Sequence, residues 1–292
     1  MKELVIISGK GGTGKTSLTA AFAALAQNKV LCDADVDAAD LHLVMAPKIK
    51  KETDFQSGHK ANIDKGKCIE CGLCRELCRW GAISEDYTVD SIECEGCGVC
   101  FHFCPEDAID FPENTCGKWF ISDTRFGPMV HAKLGVAEEN SGKLVSLVRS
   151  ESKKLAKQGS HDLIITDGAP GVGCPVIASI GGANAVLVVT EPTVSGAHDM
   201  ERVLKLASHF SIPAMVCINK FDLNKDKARE IELITQEKNA VFIGQIPFNN
   251  LFTEAMVYGK NIIEYDPGSD VANTVKQIWD KVKISLFENP KQ

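Results

Sequence analysis

One stretch near the start of the chain narrows its possible folds more than any other. An apolar run, LVIIS at 4–8, passes directly into Gly9-Lys10-Gly11-Gly12-Thr13-Gly14-Lys15-Thr16, and the alanine- and leucine-rich TSLTAAFAALAQN follows from Thr16. Strand, glycine-rich turn and helix in immediate succession make a βα unit, and such units build parallel sheets covered by helices. The glycines let successive backbone N–H groups converge, and the start of the helix adds its dipole, so the natural ligand of the turn is a phosphate chain. In this Walker A reading residues Gly9 to Thr16, with Ser17, hold the nucleotide. Lys15 neutralises phosphate charge, and the Thr16 hydroxyl ligates Mg²⁺.

Further apolar runs alternate with helical patterns: VLCDAD, LIITD, AVLVV, AMVCIN and AVFIGQIP, with helices expected around 143–158, 195–210, 224–239 and 269–287. That alternation predicts an α/β fold, a doubly wound, mostly parallel sheet. Ligands of such sheets bind at the carboxyl ends of the strands, where Asp33, Asp35, Asp167 and Asn219 all fall.

Lys10 adds a second lysine inside the loop and gives the G-K-G-G-x-G-K-T, or deviant, Walker A. This form resembles the MinD/ParA/nitrogenase-iron-protein class of P-loop ATPases. The resemblance implies that Lys10 acts in trans on a partner's nucleotide, hence a homodimer or a dimer with a close paralogue. It also implies that Asp35 orients the attacking water, that Asp33 holds the Mg²⁺ water shell, and that Asp167 in DLIITDGAPG is the Walker B aspartate. Gly168 and Gly171 then belong to a mobile switch II. Asn219-Lys220-x-Asp222 matches the guanine-reading element of GTPases, whereas in the MinD-like class an asparagine here contacts adenine. Pro247 and Phe248 in IPFN match that class's second base-contacting stretch. The deviant lysine favours ATP/ADP, and the GTP reading stays open on this motif.

Twelve cysteines in a chain whose start lacks a signal-peptide pattern point to metal or redox chemistry rather than disulfides. Four are scattered: Cys32, Cys116, Cys174 and Cys217. The other eight form two C-x2-C-x2-C-x3-C runs, and the second ends in Pro105. This is the bacterial-type ferredoxin spacing for two [4Fe–4S] clusters, in which the fourth cysteine of each run ligates the other cluster. One cluster is therefore expected on Cys68, Cys71, Cys74 and Cys104, and the other on Cys78, Cys94, Cys97 and Cys100. Zinc sites, with two ligand pairs split by a longer loop, fit this register badly. The first run departs from ferredoxins in carrying Arg79 where they have proline, which puts the local turn in question.

Lys+Arg number 32 against 39 Asp+Glu, a net charge of −7, which argues against nucleic-acid binding through bulk charge. Residues 60–112 hold 11 acids and 5 bases, so nearly all of that charge surrounds the cysteines. Such a surface either steers a basic redox partner or only confers solubility. No run is long enough to span a bilayer, and a cytoplasmic location is expected.

The cysteine block reads as an insertion: 1–60 and 114–292 form the ATPase, and 61–113 the ferredoxin domain. The chain leaves through APKIKKETDFQSGHK and returns at NTCGKWF. As a whole it resembles the MinD-superfamily P-loop ATPases with an inserted two-cluster ferredoxin domain; TRFGPMVHAKL, EENSGKLVSLVR and GVGCPVIASI match segments of that group. The function implied is a nucleotide-driven dimeric ATPase exchanging electrons with a redox partner protein. The alternatives are a MinD-like positioning ATPase with redox-sensing clusters and an iron–sulfur cluster carrier. Two smaller signals complete the reading. Cys174 either ligates a cluster shared across a dimer, as a switch II cysteine does in the nitrogenase iron protein, or merely packs. Val271, Val275, Ile278, Trp279 and Val282 recur at helical spacing, which favours a helix packed on the sheet over a membrane-binding one.

Overall fold

The structure, a computed structural model, describes residues 1–135, 138 and 141–288. The strands in chain order are β1 (Lys2–Ser8), β2 (Lys29–Asp33), β3 (Lys48–His59), β4 (Asn62–Ile63), β5 (Ile109–Asp110), β6 (Glu113–Thr124), β7 (Gly127–Leu134), β8 (Leu163–Pro170), β9 (Ala185–Thr190), β10 (Ala214–Asn219) and β11 (Val241–Ile246). The helices are α1 (Lys15–Leu25), α2 (Leu41–Met45), α3 (Leu73–Leu77), α4 (Val99–His102), α5 (Ser141–Gln158), α6 (Cys174–Ile180), α7 (Val194–His209), α8 (Lys225–Glu237), α9 (Leu251–Val257), α10 (Ile262–Tyr265) and α11 (Asp270–Lys283). Two compact units result: Met1–Glu52 with Trp119–Lys133 and Ser141–Gln292, and Thr53–Lys118 with Leu134–Asn140.

The large sheet has the order β11-β10-β9-β1-β8-β2-β7-β6-β3. From β11 to β7 every pairing is parallel. The central strands β1, β8 and β9 are buried along almost their whole length, as parallel strands covered on both faces must be. Alternation along β1 sends Leu4 and Ile6 into one apolar layer and Val5 and Ile7 into the other. The first layer is filled by α1 and α11, the second by α6, α7 and α8, so the sheet is doubly wound.

The exit and return segments of the insertion are themselves strands: KIKKETDFQSGH is β3 and ENTCGKWFISDT is β6. β3 is mostly solvent-exposed, so its polar sequence carries no apolar signal. The strand β7 follows β6 after only Arg125 and Phe126, a link short enough only for an antiparallel pair. The C-terminal helix α11 faces inward: Val271, Val275, Ile278, Trp279 and Val282 are all buried, and Trp279 packs against Phe22 with ring centroids 4.9 Å apart. Among the described residues no helix is long and apolar enough to cross a membrane.

Beneath β1 lies a buried ion pair. Arg149 on α5 grips Glu3 through Nε and Nη2 at 2.8 and 2.7 Å. Its Nη1 donates to the carbonyls of Ala178 and Gly181 at 2.6 and 2.9 Å, fixing the last turn of α6.

Candidate nucleotide and cysteine sites

The glycine-rich turn opens α1, with Gly14 as N-cap at φ 89°. A side chain at Gly14 is excluded twice, by that left-handed φ and because a Cβ would overlap the Asn219 amide. Lys15, the first helical residue, is 6 % exposed, and its Nζ lies 3.0 Å from Asp167 Oδ1 and 3.2 Å from Asp35 Oδ2. Burial pulls the Lys15 ammonium down, but Asp167 and Asp35 outweigh it and hold the pKa above the ordinary value. Thr16 Oγ1 donates to Asp167 Oδ2 and Thr19 Oγ1 to Asp167 Oδ1, each at 2.8 Å. Burial, then the nearby Asp167, pushes the Asp33 carboxyl well above the usual carboxylate range; burial also raises Asp35.

One ammonium thus faces three buried carboxylates. Asp33 Oδ1 accepts from the Asp35 N–H at 3.2 Å, while Asp33 Oδ2 is buried without a partner. An orphaned carboxylate oxygen beside Thr16 and Asp167 is a donor set that suits Mg²⁺, which binds through few protein oxygens, water and phosphate.

Next to the turn lies a pocket of about 210 Å³. Its lining includes Gly12, Gly14, Ser17, Asn219, Lys220, Pro247 and Phe248 from the sequence reading. It also includes Leu18, Val189, Phe252 and Met256, which that reading missed because they come from three separate elements, α1, β9 and α9. Phe248 is half exposed at the pocket wall. Asn219 is engaged within the chain: its Nδ2 donates to Thr13 O at 2.8 Å and its Oδ1 accepts from Lys220 N–H. Lys220 sits at φ 56° and its Nζ donates to Gly12 O at 3.2 Å, so both residues brace the turn. Asp222 Oδ1 accepts from Phe248 N–H at 2.6 Å and fixes the wall opposite. Lys10, near the rim, pairs with Glu191 Oε2 of its own chain at 3.2 Å.

The cysteines gather as two sets of four. Cys68, Cys71, Cys74 and Cys104 line one small cavity with Ile63, Tyr87 and Ile109. Cys78, Cys94, Cys97 and Cys100 line another with Trp80, Ile83 and Phe111. Each cavity draws three cysteines from one run and one from the other. Among the described residues no three His, Cys, Asp or Glu side chains are grouped for a single metal ion. Instead the four thiols of each set stand around a void with apolar walls, and four soft donors so arranged fit an iron–sulfur cluster.

The two halves repeat with an offset of 26 residues, and the match extends beyond the cysteines. Asp64 N–H donates to Ala108 O and Asp90 N–H to Ala82 O, both at 2.8 Å. Asp64 Oδ1 accepts from Gly66 N–H and Asp90 Oδ1 from Ile92 N–H, again both at 2.8 Å. Ile63 pairs with Ile109 and Val89 with Ile83, so each half completes the other's sheet. The turn after Cys78 closes with Gly81 N–H to Cys78 O at 3.2 Å, mirrored by Asp107 N–H to Cys104 O at 3.5 Å. Arg79 therefore leaves that turn in place without proline.

The symmetry breaks at Glu70 and Gly96, which share left-handed φ values of 57° and 60°. At Gly96 an added Cβ would overlap the His59 carbonyl oxygen, while Glu70 carries its side chain freely and gives its own carbonyl to Tyr87 Oη at 2.6 Å. If the two cavities take up iron–sulfur clusters, a Gly96→Ala chain reconstituted anaerobically should hold about half the parent's iron, whereas Glu70→Ala should hold all of it. Iron and sulfide analysis of the two variants checks this; equal iron in both would show that the His59 contact does not constrain the loop.

Of the remaining cysteines, Cys32 and Cys217 are fully buried, and burial pushes both thiols up to about 12. Cys116 is buried with its sulfur 3.7 and 3.6 Å from the Phe55 and Ser57 carbonyls. Cys174 is exposed at the start of α6.

A doubly wound sheet with a glycine-rich turn leading into α1, and with lysine, threonine and aspartates converging behind it, defines a P-loop nucleotide-binding protein. The chain belongs to the CobQ/CobB/MinD/ParA nucleotide binding domain family, whose pattern matches residues 4–262. It is 32 % identical over 286 residues to the uncharacterized protein MJ0578 of Methanocaldococcus jannaschii, covering 96 % of both chains. It is 23 % identical to the uncharacterized ATP-binding protein MJ0547 of the same organism, over 98 % of this chain and 89 % of that one. In fold it is similar to the septum site-determining protein MinD from Pyrococcus horikoshii OT3, complexed with Mg-ADP, with a TM-score of 0.60 and 18 % identity. That likeness covers 100 % of this chain and 99 % of the other.

Proposed function

We propose that this P-loop ATPase works as a dimeric switch that couples its nucleotide state to two [4Fe–4S] clusters and exchanges electrons with a partner protein. The observation that carries the reading is the combination, on one chain, of the Lys15–Asp35–Asp167–Thr16 constellation with two four-cysteine cavities. In this reading residues 61–113 are the ferredoxin domain, with Cys68, Cys71, Cys74 and Cys104 on one cluster and Cys78, Cys94, Cys97 and Cys100 on the other. Bound clusters would each supply a one-electron redox couple.

On the nucleotide side the Lys15 ammonium is shared between Asp35 and Asp167. Phosphate oxygens are stronger claimants on that charge, so ATP draws Lys15 away and frees Asp35. Asp35 then accepts a hydrogen bond from the water that attacks the γ-phosphorus, as the bond to the ADP oxygen breaks. Thr16, Asp33 and Asp167 would hold Mg²⁺ on the other side, and a bound ion there would supply positive charge to the phosphates. The adenine would sit in the pocket walled by Phe248, Phe252 and Met256, braced rather than hydrogen-bonded by Asn219 and Lys220. Lys10 would cross to the nucleotide of a second protomer, which is the same chain or a close paralogue.

An anaerobic EPR redox titration with Mg-ADP and with a non-hydrolysable ATP analogue tests the coupling. A midpoint shift approaching about 59 mV is expected, a tenfold change for a one-electron couple. Unchanged midpoints with two intact clusters would overturn the coupling. A reconstituted protein with no cluster signal would overturn the cluster assignment itself.

A further inference from the structure

Lys10 is not idle in the isolated chain. Its Nζ meets Glu191 Oε2 at 3.2 Å, and the other oxygen, Oε1, takes Lys220 Nζ at 2.5 Å. One carboxylate therefore ties residue 10 of the turn to the end of β9. Glu191 is well anchored for the task. Its carbonyl accepts from Thr193 N–H at 2.8 Å, Thr193 caps α7 through Gly196 N–H, and a Cβ at Gly196 would overlap the Glu191 carbonyl oxygen. The Lys10 side chain, by contrast, is 34 % exposed and is held at its tip by this ion pair. The two lysines hold the Glu191 carboxyl below the usual range although burial opposes them, so it stays charged at neutral pH.

We propose that Glu191 is a positioning residue that latches Lys10 in cis, so that pairing of two chains begins by breaking the Lys10–Glu191 contact. The inference rests on the reading of Lys10 as the residue that reaches the partner's nucleotide. A lysine held by its own Glu191 cannot also touch a second nucleotide. Each latched chain therefore subtracts from the population competent to dimerise. Release leaves Glu191 with Lys220, which still braces Gly12, so the nucleotide turn keeps its shape while Lys10 swings out. Residues 10, 191 and 220 meet only in the folded sheet, so no local pattern announces the contact.

A partly exposed ion pair shifts an equilibrium by about threefold. Two latches open per dimer, so Glu191→Gln should lower the dimer dissociation constant with saturating ATP analogue by about tenfold. Glu237→Gln, on an exposed turn of α8, should leave it unchanged. Sedimentation measures the constant. Lysine-selective labelling of dilute chain with Mg-ADP, read by mass spectrometry, should show Lys10 modified several-fold faster in Glu191→Gln, a change that general loosening would not confine to Lys10 and Lys220. If Lys10→Ala abolishes ATP-dependent dimerisation but Glu191→Gln changes neither dimerisation nor labelling, the latch is overturned and the trans reading stands. If Lys10→Ala dimerises as the parent does, the trans reading fails and the latch has no role to play.

Discussion

A Lys15→Gln chain is expected to hydrolyse ATP at least about a hundredfold more slowly than its parent, and to lose more stability at pH 8 than at pH 5. The rate loss follows from removing the ammonium that meets the phosphates. The stability loss follows from what Lys15 compensates: Asp33, Asp35 and Asp167, all within its field and nearly solvent-free. Deleting one partner of a buried charge cluster costs about 3–5 kcal/mol. The pH dependence has a definite sign. Asp33 and Asp35 have folded pKa values above the ordinary 3.8, so between 3.8 and those values the folded chain binds more protons than the unfolded one. Their contribution to stability is therefore full at low pH and falls as pH rises through that window. Without Lys15 the window extends upward, and the variant suffers most where the carboxylates must ionise. Thermal unfolding at the two pH values, beside phosphate release, checks both halves. An equal loss at pH 5 and pH 8 would mean that Lys15 does not compensate those carboxylates.

The second large effect concerns the exchanged cysteine. Cys104 lies in the second run but lines the cavity of Cys68, Cys71 and Cys74. On the proposed cluster assignment, Cys104→Ala is expected to lose the cluster of the first run, about half the iron, and to keep the cluster beside its own sequence neighbours. Pairs of substitutions make the assignment unambiguous. Adding Cys71→Ala to Cys104→Ala should cost no further iron, because both ligands serve one site. Adding Cys97→Ala should empty the protein. Iron analysis with EPR of the reduced variants reads the result. If Cys97→Ala, rather than Cys71→Ala, proves silent in the Cys104→Ala background, the fourth ligand is local and the crossed arrangement is wrong.

How far these sites could be read beforehand depended on whether their signal was local. The turn at Gly9–Thr16 and the strand ends at Asp33 and Asp167 are local patterns, and the nucleotide-binding fold follows from them. Helix α7 begins one residue from its expected start, since Thr193 is an N-cap that the sequence displays. The strand β3 was illegible because an exposed strand owes its pairing to neighbours, and β6 because it buries Cys116, Trp119 and Ser122 at intervals of three rather than in strand alternation. The pocket wall of Phe252 and Met256 was missed for a related reason. Those residues lie on a short helix, α9, whose relation to Gly12 and Leu18 exists only once the sheet has formed. The 26-residue repeat is the opposite case. Asp64 and Asp90, Gly72 and Gly98, and Ala82 and Ala108 are all in the sequence for comparison, and the cysteines drew attention away from them.

The grip of Arg149 on α6 has a mechanical consequence. Its guanidinium pins the Ala178 and Gly181 carbonyls at the far end of that helix, while the near end follows Gly171, at φ 92°, and Gly173. Val176 and Ile180 are buried in the core, so a displacement of the backbone just after Asp167 would be taken up at the glycine joint and at Cys174 and Pro175, and the core beneath Ile180 would stay still.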